Sequence, residues 1–595
     1  MSQRLIFGFL VATLSFGCPS SGSNGGTGGR SAGSGGAGTG TGGNATGTGG
    51  GAVGTGGSAV GTGGGAVGTG GTTGTGGGAT GTGGGAGRAG TGGTAGGAGR
   101  AGTGGAATGT GGTAGAAPST GSVLERNNHP SRDGHFLQPT LTKARAPMVA
   151  RDTTFTGTFT GGTWASPLFF ENGPGGKGIF IAVTIGNDVI AMDETTGAVV
   201  WTKSIGTPST STATSGGQCN GGSIINPLGI LSTPVIDAQT RTIYVAGVTG
   251  TASGIGAHTV TALSLDDGAI KTGWPIDVST TVGFDAKIHN QRSALSLVGG
   301  ILYVAYGGFV GDCGSYKGRV VAINVATPTM RGAWATGGVG EGIWPAGGMA
   351  SDGTGVFVST GNSTNGASTH LDSEEIIRLT GLATSDRSNA NLFYPASWRT
   401  MDSQDADFSA VNPMYVELPG ATPSTIVVAI AKDGHMYLLD SKNLGGMGGQ
   451  KVDFMVSSGA MSIHTVPAAY TTAMGLHVTF STDSGAMCPT GMPSGKVVMS
   501  VLIPVGAPPA PKVVWCSALT GTVTAPIATT SNGSADAIVW FISNNRLMGV
   551  DGDTGAMVVN PTDTCTAVRR WTSPIAVKGR IVVAGDGHLC SWSPH

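Results

Sequence analysis

The stretch Val189–Trp201, VIAMDETTGAVVW, decides the fold. Val189 and Ile190 favour an extended backbone, and so do Val199, Val200 and Trp201. Between them Asp193 can cap a turn with its own side chain, and Gly197 tolerates positive φ. The reading is strand, tight turn, strand. The same Asp-to-Gly offset and Thr-Gly pair return in VDGDTGAMVVN, Val550–Asn560, through Asp551 and Gly555. Looser copies are ALSLDDGAIKTGW (Ala262–Trp274) and VAINVATPTMRGAW (Val321–Trp334). A turn unit that recurs through most of the chain signals a repeat architecture.

Working outward, a second signal recurs: a Ser/Thr/Trp-Pro step, or a close variant, that opens a short strand. It stands at Ser166-Pro167, Thr233-Pro234, Ser293-Ala294, Trp344-Pro345, Ser409-Ala410, Val466-Pro467, Ala525-Pro526 and Ser573-Pro574. After most steps comes an apolar strand such as GIFIAV, RTIYVAGV or TIVVAIA, then a third strand ending in the Asp turn. Four short antiparallel strands per repeat, with glycine at the turns, make the blade of a β-propeller. The expectation is an all-β propeller of eight four-stranded blades. Seven is the alternative, because the fourth repeat is poorly formed around Ser373–Arg387. The last repeat has three strands, so Thr153–Thr160, TTFTGTFT, is expected to supply its outer strand and close the ring. Closure removes an open sheet edge.

Composition supports one β domain with a long leader. Glycine is 113 of 595 residues, and most of the excess precedes residue 118. Lys plus Arg number 31 against 32 Asp plus Glu, so there is no basic footprint for nucleic acid. Residues 1–18 read as a secretory signal: Arg4, then an apolar run Leu5–Leu14 too short for the ~20 residues a membrane span needs. Its end, LSFGC, resembles the lipobox of bacterial lipoproteins, with Cys18 as the lipidated residue, although Ser15 stands where that pattern has leucine. The other reading is plain secretion with Cys18 as a spare thiol. Residues 19–120 form a Gly/Thr/Ala-rich tract with almost no side chains to bury, expected to be a disordered tether reaching ~55 Å. Residues 121–152 are a lead-in, and 153–595 the propeller.

Seven cysteines are present. With Cys18 set aside, an even set in an exported chain suggests disulfides. Repeat adjacency pairs Cys488 with Cys516, Cys565 with Cys590, and Cys219 with Cys313.

The pattern A-x-D-x-x-x-G-x-x-x-W at Ala191, Asp193, Gly197 and Trp201 resembles the tryptophan-docking motif of quinoprotein-like propellers, the pyrroloquinoline-quinone (PQQ) repeat family. RDGHF near Arg132, NPLGILSTPVID (226–237), NQRSAL (290–295), YGGFVGDCGSYKG (306–318) and PGATPSTIVVAIAKDGHMYLLD (419–440) extend the likeness to bacterial secreted PQQ-binding-like proteins. The resemblance implies docking tryptophans between blades. It also raises PQQ with calcium as cofactors, held by Glu, Asn and Asp, a further Asp as base, and a tryptophan against the quinone. The adjacent-cysteine disulfide of many such dehydrogenases is absent here.

Local candidates for a funnel site are Glu341 and Trp344 in EGIWPAGG, Asn362, the acids Asp402, Asp405 and Asp407, and Asn290 with Arg292, whose guanidinium could meet an anion. Each has a structural alternative: Trp344 as a wedge between blades, the acids as turn caps, Arg292 as a bridge. Lys432-Asp433-Gly434-His435 reads as a hairpin turn. The favoured function is binding or scaffolding at the cell envelope, of an unknown protein or small-molecule ligand at the propeller face. The membrane would be met only through the lipid anchor, placed at the outer membrane because Pro19 is not the Asp of inner-membrane retention. The rival is a PQQ- and calcium-dependent alcohol or sugar dehydrogenase.

Overall fold

The computed structural model describes residues 121–211, 225–364, 366, 368–459, 462–560 and 562–595. The expected signal segment, Cys18, the Gly-rich tract and Cys219 lie outside these. Among the described residues no helix is long and apolar enough to cross a membrane.

Eight sheets follow one another along the chain, each with four antiparallel strands in blade order, and three of them carry a fifth short strand. Blade I runs Leu168–Phe170, Ile179–Val183, Asp188–Asp193, Val199–Ser204, and its second and third strands are buried while the fourth alternates. That gradient is what the sequence encodes: apolar runs inside, exposed alternation outside. The innermost strands of the eight blades begin at Leu168, Val235, Ser296, Ala350, Met414, Ala468, Ile527 and Ile575. Each follows one of the eight steps read from the sequence, so eight blades form.

The steps have a physical reason. Ser166 Oγ accepts from Ser573 N (2.8 Å), and Ser166 N donates to Thr233 Oγ1 (3.0 Å). Leu295 N donates to Thr233 O (3.1 Å), Ala294 N to Ala346 O (3.3 Å), and Ala525 N to Thr572 O (3.2 Å). Hydroxyls and carbonyls at the blade starts thus tie neighbouring blades into a belt around the axis. Proline can precede a strand there without costing a ladder bond.

The ring closes in the final blade, with a different strand from the one expected. Val149–Arg151 pairs antiparallel with His588–Pro594, Ala150 opposite Ser593. Thr153–Thr160 continues alongside but makes only one isolated bridge, Thr158 to His588. The alternation in TTFTGTFT is broken by two features. Asp152 Oδ1 caps the amides of Thr154 (3.0 Å) and Phe155 (3.3 Å), and Gly157 takes φ 50°. Phe155 is then buried edge-on against Phe180, with centroids 5.7 Å apart.

Trp201 donates Nε1 to Leu265 O (3.0 Å), in the turn of the next blade rather than its own. Trp515 likewise donates to Gly552 O (2.8 Å), inside the Asp551–Gly555 turn of the following blade. A Cβ on Gly555 would lie 2.7 Å from the Trp515 ring, so glycine there is a packing requirement. In the turn itself Asp193 Oδ1 accepts from Thr195 N (3.0 Å) and Thr196 N (2.8 Å). Trp334 faces the fourth repeat, whose turn lacks the Asp-Gly pair, and its Nε1 is buried without an acceptor. That is the structural counterpart of the degenerate stretch near Ser373–Arg387.

The lead-in is part of the core. It meets the innermost region of all eight blades. Val123 N bonds Phe169 O (2.8 Å) and Leu124 O accepts from Ile236 N (2.7 Å). Arg132 reaches Leu295 O (2.9 Å) and Ser296 Oγ (2.6 Å). The carbonyls of Pro130, Ser131, Asp133 and Gly134 accept from the amides of Ser351, Tyr415, Ala469 and Ala528. His135–Leu137 then runs parallel to Ile527–Thr530, and Gln138 reaches Ala576 O (3.1 Å). The segment is therefore an axial plug. A Cβ on Gly121 would meet Glu171, and Gly579 N donates to Gln138 Oε1. Both contacts lie at first-to-second-strand turns, so the chain enters and leaves through the lower face.

With both partners among the described residues, two disulfides are present, Cys488–Cys516 and Cys565–Cys590. The Cys219–Cys313 pairing lies outside the described residues.

Candidate functional site: the upper mouth of the axis

The upper face carries the connections between blades and the second-to-third-strand turns. Two of its elements meet at the axis. Arg292, just before the inner strand of blade III, lies over the ring of Trp571, just before that of blade VIII, at 5.2 Å. Arg570 lies over the same ring at 5.7 Å. Cation–π pairing of this kind is worth ~0.5–2 kcal/mol, depending on desolvation. Arg292 Nε also donates to Trp344 O (2.8 Å). Beneath the indole, Ala346, Val466 and Ala525 complete an apolar cluster with Trp571, drawn from four blade starts.

Charged groups ring this centre. Lys432 Nζ sits between Asp405 (2.8 Å) and Asp407 (2.6 Å). Burial alone would lower its ammonium pKa; Asp407 and Asp405 outweigh burial and hold it above its usual range. Asp405 is pushed up to about 6 by burial and by Asp407. Asp483 takes Arg570 and Lys496, with His464 at 3.8 Å. Burial and then Arg570 lower the His464 imidazole to about 4, so it is neutral at pH 7. Asp312 accepts from Tyr316 Oη (2.6 Å), and burial raises its carboxyl.

The sequence candidates separate into two groups. Glu341, Asn362, Asp402, Asp405 and Asp407 are brought to one neighbourhood across blades IV and V. Glu341 N donates to Asn362 O (2.7 Å), Asn362 N to Asp407 Oδ1 (3.1 Å), and Ser363 N to Asp402 Oδ1 (2.9 Å). These are framework bonds. Glu341 is fully buried; its Oε2 accepts from Gly338 N (2.8 Å), its Oε1 has no partner, and burial pushes its carboxyl up to about 8. Glu374 and Glu375, buried beside it, are also raised well above the carboxylate range, by burial first. Trp344 is a wedge: its Nε1 donates to Gly308 O (2.9 Å), and Cβ atoms on Gly307 or Gly361 would meet its ring at 2.3–2.4 Å. Asn290 is buried with Oδ1 unpartnered. Arg292 alone of the candidates reaches the axis.

Among the described residues, Glu341, Asp402, Asp405 and Asp407 do not bring three carboxylates to metal distance. A hard cation needs six to eight oxygens at ~2.3–2.6 Å. Among the described residues, the one trio of His, Cys or acid side chains converging to metal distance is Cys565, His588 and Cys590, and two of those sulfurs are bonded to each other. Trp344 is packed on glycine backbones from two blades.

Sequence reasoning missed Lys432 as a buried cation, the Glu374-Glu375 pair, His464, Asp483, Arg570 and Trp571. The signal available was local: an Arg-Arg-Trp run ahead of Ser573-Pro574, and adjacent acids in a repeat too irregular to leave them exposed.

No protein-family model matches the chain, and no curated protein matches it. Solved structures do. The quinohemoprotein alcohol dehydrogenase from Comamonas testosteroni is 15% identical, over 79% of this chain and 80% of that one, with a TM-score of 0.52. The quinohemoprotein alcohol dehydrogenase ADHIIG from Pseudomonas putida HK5 is 13% identical, over 80% of each chain, at 0.54. A europium-containing methanol dehydrogenase is 12% identical, over 80% of this chain and 89% of that one, at 0.52. At such identities the likeness is one of fold alone: this chain is an eight-bladed propeller, similar in fold to these dehydrogenases.

Proposed function

We propose that this chain is an exported binding propeller, held at the cell envelope through Cys18, whose ligand face is the upper mouth around Arg292 and Trp571. The observation that carries the reading is the meeting of these two side chains on the axis, on the face opposite the one through which the chain enters. Loops from every blade converge on that face. The two disulfides suit an oxidising compartment. An indole carrying two guanidiniums offers an aromatic contact of the kind enriched in protein interfaces.

The test uses two exposed methionines of blade VI. Met487 lies on an upper loop and Met474 in a lower turn. A photo-crosslinking residue at 487 is expected to give discrete adducts in cells, reduced by Arg292→Ala or Trp571→Ala, while position 474 gives none. Equal labelling at both positions would refute the upper-face assignment. Dye reduction with alcohols or aldoses after adding PQQ and Ca²⁺ would overturn the binding reading in favour of the dehydrogenase.

A further inference from the structure

The plug carries a charge that the protein does not neutralise. Leu124 bonds blade II through Ile236, and Asn127 Nδ2 bonds blade VI through Pro467 O (3.2 Å). Blades II and VI are opposite members of an eight-blade ring, so Glu125 and Arg126, which lie between, cross the axis. Pro467 adjoins Val466 of the apolar cluster, so the crossing passes just beneath the Trp571 seal.

Arg126 is 1% exposed. Its Nε donates to Asn127 Oδ1 (3.1 Å), and its Nη2 has no protein acceptor. No carboxylate among the described residues pairs with it. Glu125, the adjacent acid, is held by Arg132 Nη1 (2.8 Å), and Asp133 is held by His129 (2.8 Å) and Ser131 (2.9 Å). Arg132, itself fully buried, spends its remaining donors on Arg126 O, Met349 O, Leu295 O and Ser296 Oγ. Of the two buried guanidiniums, Arg132 alone is paired with the carboxylate between them. A guanidinium stays charged at neutral pH even where burial and the Arg132 charge pull it down to about 9. A buried cation without a counter-charge is among the costliest arrangements a core can hold.

We propose that Arg126 anchors an anion-binding site on the propeller axis, which takes one compact inorganic anion of halide size between the plug and the Trp571 seal. Arg126 is almost wholly out of solvent, so the occupant is an ion taken up as the plug folds into the ring. The site is separate from the mouth and does not depend on the function proposed for it.

The experiment compares the melting temperature of the full chain in sodium chloride, sodium bromide and sodium gluconate at constant ionic strength, with crystals grown in bromide as a second measurement. Chloride and bromide are expected to give a saturable rise of about 2–3 °C over gluconate. Arg126→Met, which keeps the length and removes the charge, is expected to abolish that rise. Bromide crystals of the unaltered protein are expected to show an anomalous peak within hydrogen-bond reach of Arg126 Nη2. Identical melting in all three salts, or bromide peaks only at surface sites, would overturn the proposal. The bromide measurement decides the matter if the methionine variant does not fold.

Discussion

Blade docking can be measured by comparing two tryptophans in equivalent outer strands. Trp515 is fully buried, donates to Gly552 O, and packs on Gly555. Trp334 is 7% exposed and its Nε1 donates to nothing. Truncating Trp515 to alanine removes a buried ring and should cost ~3–5 kcal/mol. Trp515→Phe keeps most of the ring and loses the hydrogen bond. Gly552 O keeps its bond from Tyr470 Oη (2.7 Å), so no acceptor is orphaned. The expected cost is ~1–2 kcal/mol, made up of the bond and a small cavity. Trp334→Phe removes an unsatisfied buried donor together with the ring volume, and the two effects offset, leaving a change within ~0.5 kcal/mol. With roughly 475 folded residues the unfolding entropy is ~1 kcal/mol/K, so each kcal/mol moves Tm by ~1 °C. Calorimetry should therefore show losses of ~4 °C for Trp515→Ala, ~1–2 °C for Trp515→Phe and almost none for Trp334→Phe. A Trp334→Phe variant as damaged as Trp515→Phe would show that the turn bond is not what distinguishes the blades.

Three further outcomes follow from particular groups. The Glu341 carboxyl is raised to about 8 in the fold against 4.5 unfolded, so the neutral form is the one the fold favours. Its contribution is most favourable below pH 4.5 and is lost progressively as pH rises towards 8; Glu341→Gln should raise Tm at pH 8–9 and leave pH 5 nearly unchanged, and parallel pH profiles would refute this. Gly197→Ala should cost more than ~1 kcal/mol, because φ is 71° and a Cβ would lie 2.3 Å from Gly157 N, whereas Gly448→Ala, at φ 67° in open space, should cost less; denaturation of the pair checks the order. Replacing Cys488 and Cys516 with serine opens a link across 28 residues and should cost about 3–4 kcal/mol, read as a lower Tm that falls less on adding reductant than that of the unaltered protein, which has this link to lose as well as Cys565–Cys590.

The parts of the fold that were legible are those written locally. Each blade start carries a short step whose hydroxyl or proline has a job at the belt, so the repeat count could be read without an alignment. The docking turn was legible because Asp193 and Gly197 act on their own backbone. The plug was not. NNHPSRDGHF has no period and no run of apolar residues, and its conformation is set by bonds to blades hundreds of residues away. The closing strand was misplaced for a related reason: TTFTGTFT alternates better than Val149–Arg151, but Gly157 and the Asp152 cap interrupt its ladder and leave it scattered bonds to the last strand, such as Leu589 N to Gly157 O. The mouth was half legible. Arg292 could be placed near the axis because it precedes an inner strand, while Trp571 and Lys432 acquire their roles only from neighbours the ring supplies.

The central claim is a ring closed by Val149–Arg151 on the last strand. Its most direct test is a cysteine pair at Ala150 and Ser593, which face each other in the closing ladder. Oxidation of the folded protein is expected to link the 150 and 593 peptides efficiently, while a pair at Ala150 and Ser591, two residues out of register, links poorly. No link between 150 and 593, or equal linking of both pairs, would contradict the closure.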